Sequence, residues 1–120
     1  MKSFTDTPWI LGDESLGSAL EVLTISTERT LFVLSQNHEL KGVLTEGDVA
    51  RAYIRGQIKT TLASDVMNQA PLYFDAPRSD KELATIFVNT GILLIPIVDE
   101  LGKLVGSQST RSAIEQILAK

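Results

Sequence analysis

The residues of this chain that could do chemistry are few and clustered. Thr45-Glu46-Gly47-Asp48 places a hydroxyl and a carboxylate three residues apart, with Arg51 and Arg55 following at helical spacing and Arg29 standing just ahead of an apolar run. A carboxylate accepts paired hydroxyl donors, and the planar arginine fork makes charge-assisted, bidentate bonds to phosphate. Together they suit a phosphorylated ligand rich in hydroxyls. The same Thr-x-x-Asp spacing is also a capping box, in which each side chain satisfies a backbone N–H at the start of a helix. The two roles can coexist, because a helix amino terminus offers N–H groups and a favourable dipole to an anion. Gly47 would let a ligand approach the backbone. Arginines on a helix surface are more commonly just solvated or paired, and Arg29 and Arg51 are stronger phosphate candidates than Arg55.

The other candidates are weaker. With no cysteine there is neither a disulfide nor a thiolate nucleophile or ligand, and His38 is the one histidine. In the turn Asn37-His38-Glu39 it reads as a solvated residue lacking co-ligands for a metal. Asp99-Glu100 reads as a turn at a strand end. Trp9 and Tyr73 read as core residues, with stacking on a base as the alternative. No nucleophile–base pair, Gly-rich phosphate loop or metal cluster supports catalysis, so an enzyme is not expected and neither is a catalytic cofactor.

Composition sets the frame in which those residues act. A length of 120 residues with 43% hydrophobic content suits one compact domain. The formal net charge of -4 argues against a duplex DNA partner. The apolar run Ile92–Val98 is too short to cross a bilayer and the polar start is no signal peptide, giving the expectation of a cytoplasmic protein without membrane contact. The end at Ala119-Lys120, inside a helical pattern, suggests a piece of a longer polypeptide.

The elements that position the cluster are written twice. A constant offset of 64 residues lays Leu40-Lys41-Gly42 on Leu104-Val105-Gly106. Leu16, Ala19, Leu20 and Leu23 form one apolar helix face, and their partners Asp80, Leu83, Ala84 and Phe87 keep most of it. Thr30–Leu34 and Leu93–Val98 read as buried strands, each followed by a polar connection and a second strand, 40–44 and 104–108. A second helix closes each copy: Asp48–Arg55, stopped by Gly56, and Ser112 to the end. The second copy enters through Pro71-Leu72-Tyr73-Phe74. Each copy therefore reads strand, helix, strand, strand, helix, with boundaries at 7–62 and 63–120. Neither is large enough to bury its apolar faces alone.

Gly42-Val43-Leu44-Thr45-Glu46-Gly47-Asp48-Val49, Asp65-Val66-Met67, Ile95-Pro96-Ile97-Val98-Asp99 and Gly102-Lys103-Leu104-Val105-Gly106 together resemble a tandem pair of cystathionine-β-synthase-type (CBS) repeats, a Bateman module, from about Thr7 to Lys120. The resemblance implies an α+β fold of two pseudo-symmetric repeats, each a short mixed sheet packed against two helices. It implies a regulatory module that binds an adenosine-type nucleotide (AMP, ADP, ATP or S-adenosylmethionine) in clefts between the repeats and controls a fused or associated domain. It further implies a homodimer formed through helix faces. In the family pattern the Asp of Thr-x-x-Asp holds the ribose, and Thr45 and Asp48 match it. The second copy carries Ser109 and Ser112 instead, so one competent site is expected. Pro96, aligned with Phe32, would lie beside the ligand cleft where the ladder is interrupted. The stretch Glu46–Gly56 leading to Val66-Met67-Asn68 looks most like CBS pairs fused to sugar-phosphate nucleotidyltransferases. The alternative is a structural dimerisation module without functional nucleotide binding.

Overall fold

The computed structural model describes all 120 residues. They divide into two compact units, one of residues 8–71 and one of residues 1–7 together with 72–120.

In the unit of residues 8–71, β2 (Trp9–Leu11), α1 (Leu16–Ile25), β3 (Thr30–Leu34), β4 (Leu40–Thr45) and α2 (Glu46–Ile54) follow in order, and a 3-10 turn covers Ala63–Asp65. β3 is the central strand, parallel to β2 and antiparallel to β4, which makes a mixed sheet. All five of its residues are buried, as a central strand covered on both faces requires. Ile10, Ala19, Leu23, Leu31, Val33, Leu44 and Ala63 form the core, with Val49 and Val66 packed against it. Each of the buried Ile, Leu and Val side chains contributes about 1.5–3 kcal/mol. Ser15 caps α1 by accepting from the Ser18 N–H at 3.1 Å. Gly56, at φ 97°, stops α2, and the following Gln57 N–H closes back on Ala52 O.

In the other unit, α3 (Asp80–Thr90), β5 (Leu94–Val98), β6 (Leu104–Ser109) and α4 (Thr110–Leu118) repeat the pattern. Phe74, Leu83, Ile95, Ile97 and Ala113 form its core. The correspondence extends to details at the same offset of 64. Ser79 caps α3 as Ser15 caps α1. The register slips between Ile97 and Val98 as it does between Val33 and Leu34. In the connecting turns, His38 (φ 66°) and Gly102 (φ 79°) hold the same left-handed position.

Two expectations are corrected. The second copy lacks a true first strand: Phe74 makes only an isolated bridge to Ile97, and Tyr73 is 57% exposed rather than core. The cause lies in the backbone. In the first copy the Phe32 N–H donates to Pro8 O at 3.0 Å and ties down β2. The aligned residue is Pro96, which has no N–H to offer, so Leu72-Tyr73 has nothing to pair with there. Secondly, this unit gains a strand that was read only as a polar lead-in. β1 (Lys2–Ser3) pairs antiparallel with β6, giving the order β1-β6-β5. Gly106 makes room for it, since a Cβ there would meet Lys2 O at 2.5 Å. Thr7 Oγ1 and Ser107 Oγ share a buried hydrogen bond of 2.8 Å beside the pair.

Candidate functional site

The Thr45–Asp48 segment sits where β4 hands over to α2, so strand and helix jointly fix its direction. Thr45 is the N-cap: its Oγ1 accepts from the Asp48 N–H at 3.1 Å, and its own N–H donates to Asp48 Oδ2 at 2.9 Å. The capping box read from the spacing is therefore formed. Asp48 Oδ1 accepts from Arg51 Nη2 at 2.6 Å, one turn further along the helix. Both carboxylate oxygens thus have partners, one a buttress on the backbone and the other a side chain that is 59% exposed.

Arg51 folds back over the start of the helix. A Cβ at Gly47 would lie 3.1 Å from Arg51 Nη1, so the group that comes close to the Gly47 backbone is this guanidinium. Arg29 joins from the turn before β3, where φ is 53°, and its Nε lies 3.6 Å from Glu46 Oε2. Its carbonyl accepts the Glu46 N–H. With the Glu46 and Asp48 N–H groups already bonded, the Gly47 N–H is the open donor of the first turn.

The structure therefore brings Arg29, Thr45, Gly47, Asp48 and Arg51 together around one helix start. Arg55 is the C-terminal cap of α2, at the other end of the helix. Pro96 is in the other unit, fully buried in β5. There Ser109 Oγ accepts from the Ser112 N–H at 3.1 Å, half of a capping box without the returning carboxylate. His38 is exposed in its turn, but it is more than a solvated residue: its ring lies 5.0 Å from that of Trp9, centroid to centroid. Asp99 serves its turn as expected, accepting from the Leu101 and Lys103 N–H groups.

Residues 3–55 match the model of the CBS domain. Over 99% of its length the chain superposes on the CBS-pair protein CBSX2 of Arabidopsis thaliana, solved with AMP, at a TM-score of 0.84, 22% identity and 93% coverage of that chain. The chain has the fold of a CBS-domain pair. The CBS-pair fold recurs in the cytosolic domain of the Mg2+ channel MgtE, solved with ATP: TM-score 0.76, 20% identity, 97% of this chain and 46% of that one. In sequence, the chain is 32% identical over 75 residues to the arabinose 5-phosphate isomerase GutQ of Salmonella typhi, a stretch that covers 62% of this chain. The match spans only 23% of that curated relative. No helix is long and apolar enough to cross a membrane.

One contact set escaped the sequence reading. Gln108 reaches the loop before α3, its Oε1 accepting from the Arg78 N–H at 2.8 Å and its Nε2 donating to Arg78 O at 3.0 Å. The Arg78 guanidinium lies 4.5 Å from the Phe74 ring centroid. The alignment of Gln108 with the core residue Leu44 was the available signal, since a buried amide requires partners.

Proposed function

We propose that the chain is a regulatory module that binds an adenosine-type nucleotide at the start of α2. The observation that carries this reading is the Asp48–Arg51 arrangement: a carboxylate fixed from behind by the Thr45 N–H and covered in front by an exposed, exchangeable guanidinium. Exposed ion pairs contribute about 0–1 kcal/mol, so a ligand displaces this one at little cost. Asp48 Oδ1 then accepts ribose hydroxyls, and the released Arg51 turns to phosphate with Arg29 and the Gly47 N–H. Support comes from the likeness in fold to proteins solved with AMP and with ATP. Occupancy regulates only if the ligand binds two conformations unequally. For the regulated partner we favour an enzyme acting on sugar phosphates. The match to the arabinose 5-phosphate isomerase supports that class, and the resemblance of Glu46–Gly56 to modules fused to nucleotidyltransferases points the same way.

The test is a thermal-shift panel of AMP, ADP, ATP and S-adenosylmethionine on the native chain and on Asp48→Ala. One ligand at a hundredfold its Kd should add about 2.7 kcal/mol to the native protein. The variant should lose that gain beyond a capping cost of about 1 kcal/mol. No stabilisation by any of the four would leave the second reading, a homodimerisation module. That reading is favoured by apolar side chains left exposed on the helices: Ile25 at 85% and Ile54 at 83% in one unit, Val88 at 80% and Leu118 at 79% in the other.

A further inference from the structure

The unit of residues 8–71 also has a cleft away from the start of α2. It has a volume of about 530 Å³ and is lined by the end of β3, the residues after β2, the beginning of β4 and the segment 64–69. Thr45, Gly47, Asp48, Arg29 and Arg51 take no part in it. Its size falls in the range of small-molecule sites, roughly 300–1,000 Å³. Its walls are tied by backbone bonds: the Gly12 N–H donates to Leu34 O at 3.1 Å, and the Ser64 N–H donates to Gly12 O at 3.0 Å. A Cβ at Gly12 would crowd Ser64 Cβ at 3.3 Å, so glycine lets the 64–69 segment close against β2.

Val33 and Met67 supply apolar surface, and the polar groups above it are Asp13, Gln36, Lys41, Ser64 and Gln69. Neither Asp13 nor Lys41 takes part in an ion pair or side-chain hydrogen bond. The scaffold does not demand these residues, because Pro77 and Val105 stand at the corresponding places in the other unit.

We propose that this cleft is a second small-molecule site, and that its ligand is a phosphorylated sugar or polyol. Asp13 follows β2 and Lys41 lies on β4, with β3 between them. Two strand spacings set the backbones of β2 and β4 about 10 Å apart, and both side chains line the cleft. A ligand with hydroxyl donors at one end and an anion at the other answers both. A free sugar offers Lys41 only neutral hydroxyl oxygens, whereas a phosphate offers it a charge-assisted bond. A sugar phosphate presents hydroxyls to Asp13, Gln36 and Gln69, its phosphate to Lys41, and its C–H face to Val33 and Met67.

Isothermal titration of the full chain with arabinose 5-phosphate, glucose 6-phosphate and sorbitol 6-phosphate tests the proposal, with inorganic phosphate and the free sugars as controls. Saturable binding of at least one phosphorylated probe is expected. Lys41→Gln should weaken it at least about tenfold, the scale of one charged hydrogen bond. Lys41→Arg should retain most of it, and Asp48→Asn should leave it unchanged. Absence of saturable binding at millimolar concentrations would overturn the proposal. So would inorganic phosphate binding as tightly as the sugar phosphates, or a loss that follows Asp48→Asn instead of Lys41→Gln. Because the Asp48 variant reports separately on the start of α2, failure here and failure of the nucleotide reading give different results.

Discussion

The two halves of the chain share a backbone and differ in what it carries. At the junction of second strand and second helix, the first half has Thr45 and Asp48 locked in a reciprocal cap, with Arg51 on the carboxylate. The second half has Ser109 capping alone above Ser112. Leu44 is core in one half, whereas its counterpart Gln108 ties a loop in the other. The register slip, the helix caps and the left-handed turn residue nevertheless recur at the same offset. Backbone hydrogen bonding thus preserves the scaffold, and side chains are free to diverge wherever a substitute finds a partner.

The sharpest way to break this comparison is to exchange the two divergent core residues. Leu44→Gln puts an amide among Ile10, Ala19 and Leu23, where the backbone N–H and C=O of Glu14, the counterpart of Arg78, are already bonded to Leu11 and Ala63. The lost burial and the stranded amide should together cost about 4 kcal/mol, read as a fall in the urea midpoint. Gln108→Leu loses two hydrogen bonds but gains apolar burial, and should cost about 1 kcal/mol. Equal effects in the two directions would contradict the account.

The caps come next. Thr45→Ala removes the acceptor for the Asp48 N–H and should cost about 1 kcal/mol, as should Ser109→Ala by the same measure. Titration with the nucleotide that passes the thermal-shift panel separates them: binding should weaken in Thr45→Ala and remain unaltered in Ser109→Ala.

The smallest effect is expected at the turn. Gly102→Ala places a Cβ at φ 79° and should destabilise by about 1 kcal/mol. His38→Gly removes the corresponding strain but also the contact with Trp9, leaving a net gain of about 0.5 kcal/mol in a thermal melt. A loss of stability on His38→Gly would show that the ring contact outweighs the backbone term.

Much of this architecture was legible in the sequence because it is local and repeated. The apolar spacing of Leu16, Ala19 and Leu23 and the run Thr30–Leu34 follow helix and strand periods, and duplication let each weak pattern support the other. The cap was legible too, since Thr45 and Asp48 lie within one turn. What escaped depends on distant partners. Lys2-Ser3 has no pattern of its own and becomes a strand only because β6 has an open edge with a glycine in it. Tyr73 was misplaced because its burial hinged on whether residue 96 had an N–H. The Asp48–Arg51 pair fits the expectation that arginines on a helix surface are solvated or paired, but helical spacing alone did not name Asp48 as the partner. The cleft beside Asp13 and Lys41 is assembled from segments far apart in sequence, and no single window contains it.

The pairing of β1 with β6 also sets an order of events during synthesis. Residues 8–71 contain all the partners of their own sheet, so its strands can pair as soon as that stretch has left the ribosome. Lys2 and Ser3, although made before that stretch, have no strand to join until Gly106 and Ser107 emerge about a hundred residues later. During that interval Lys2 and Ser3 wait unpaired, and their capture by β6 is the step that joins the two strands of that sheet most distant in sequence.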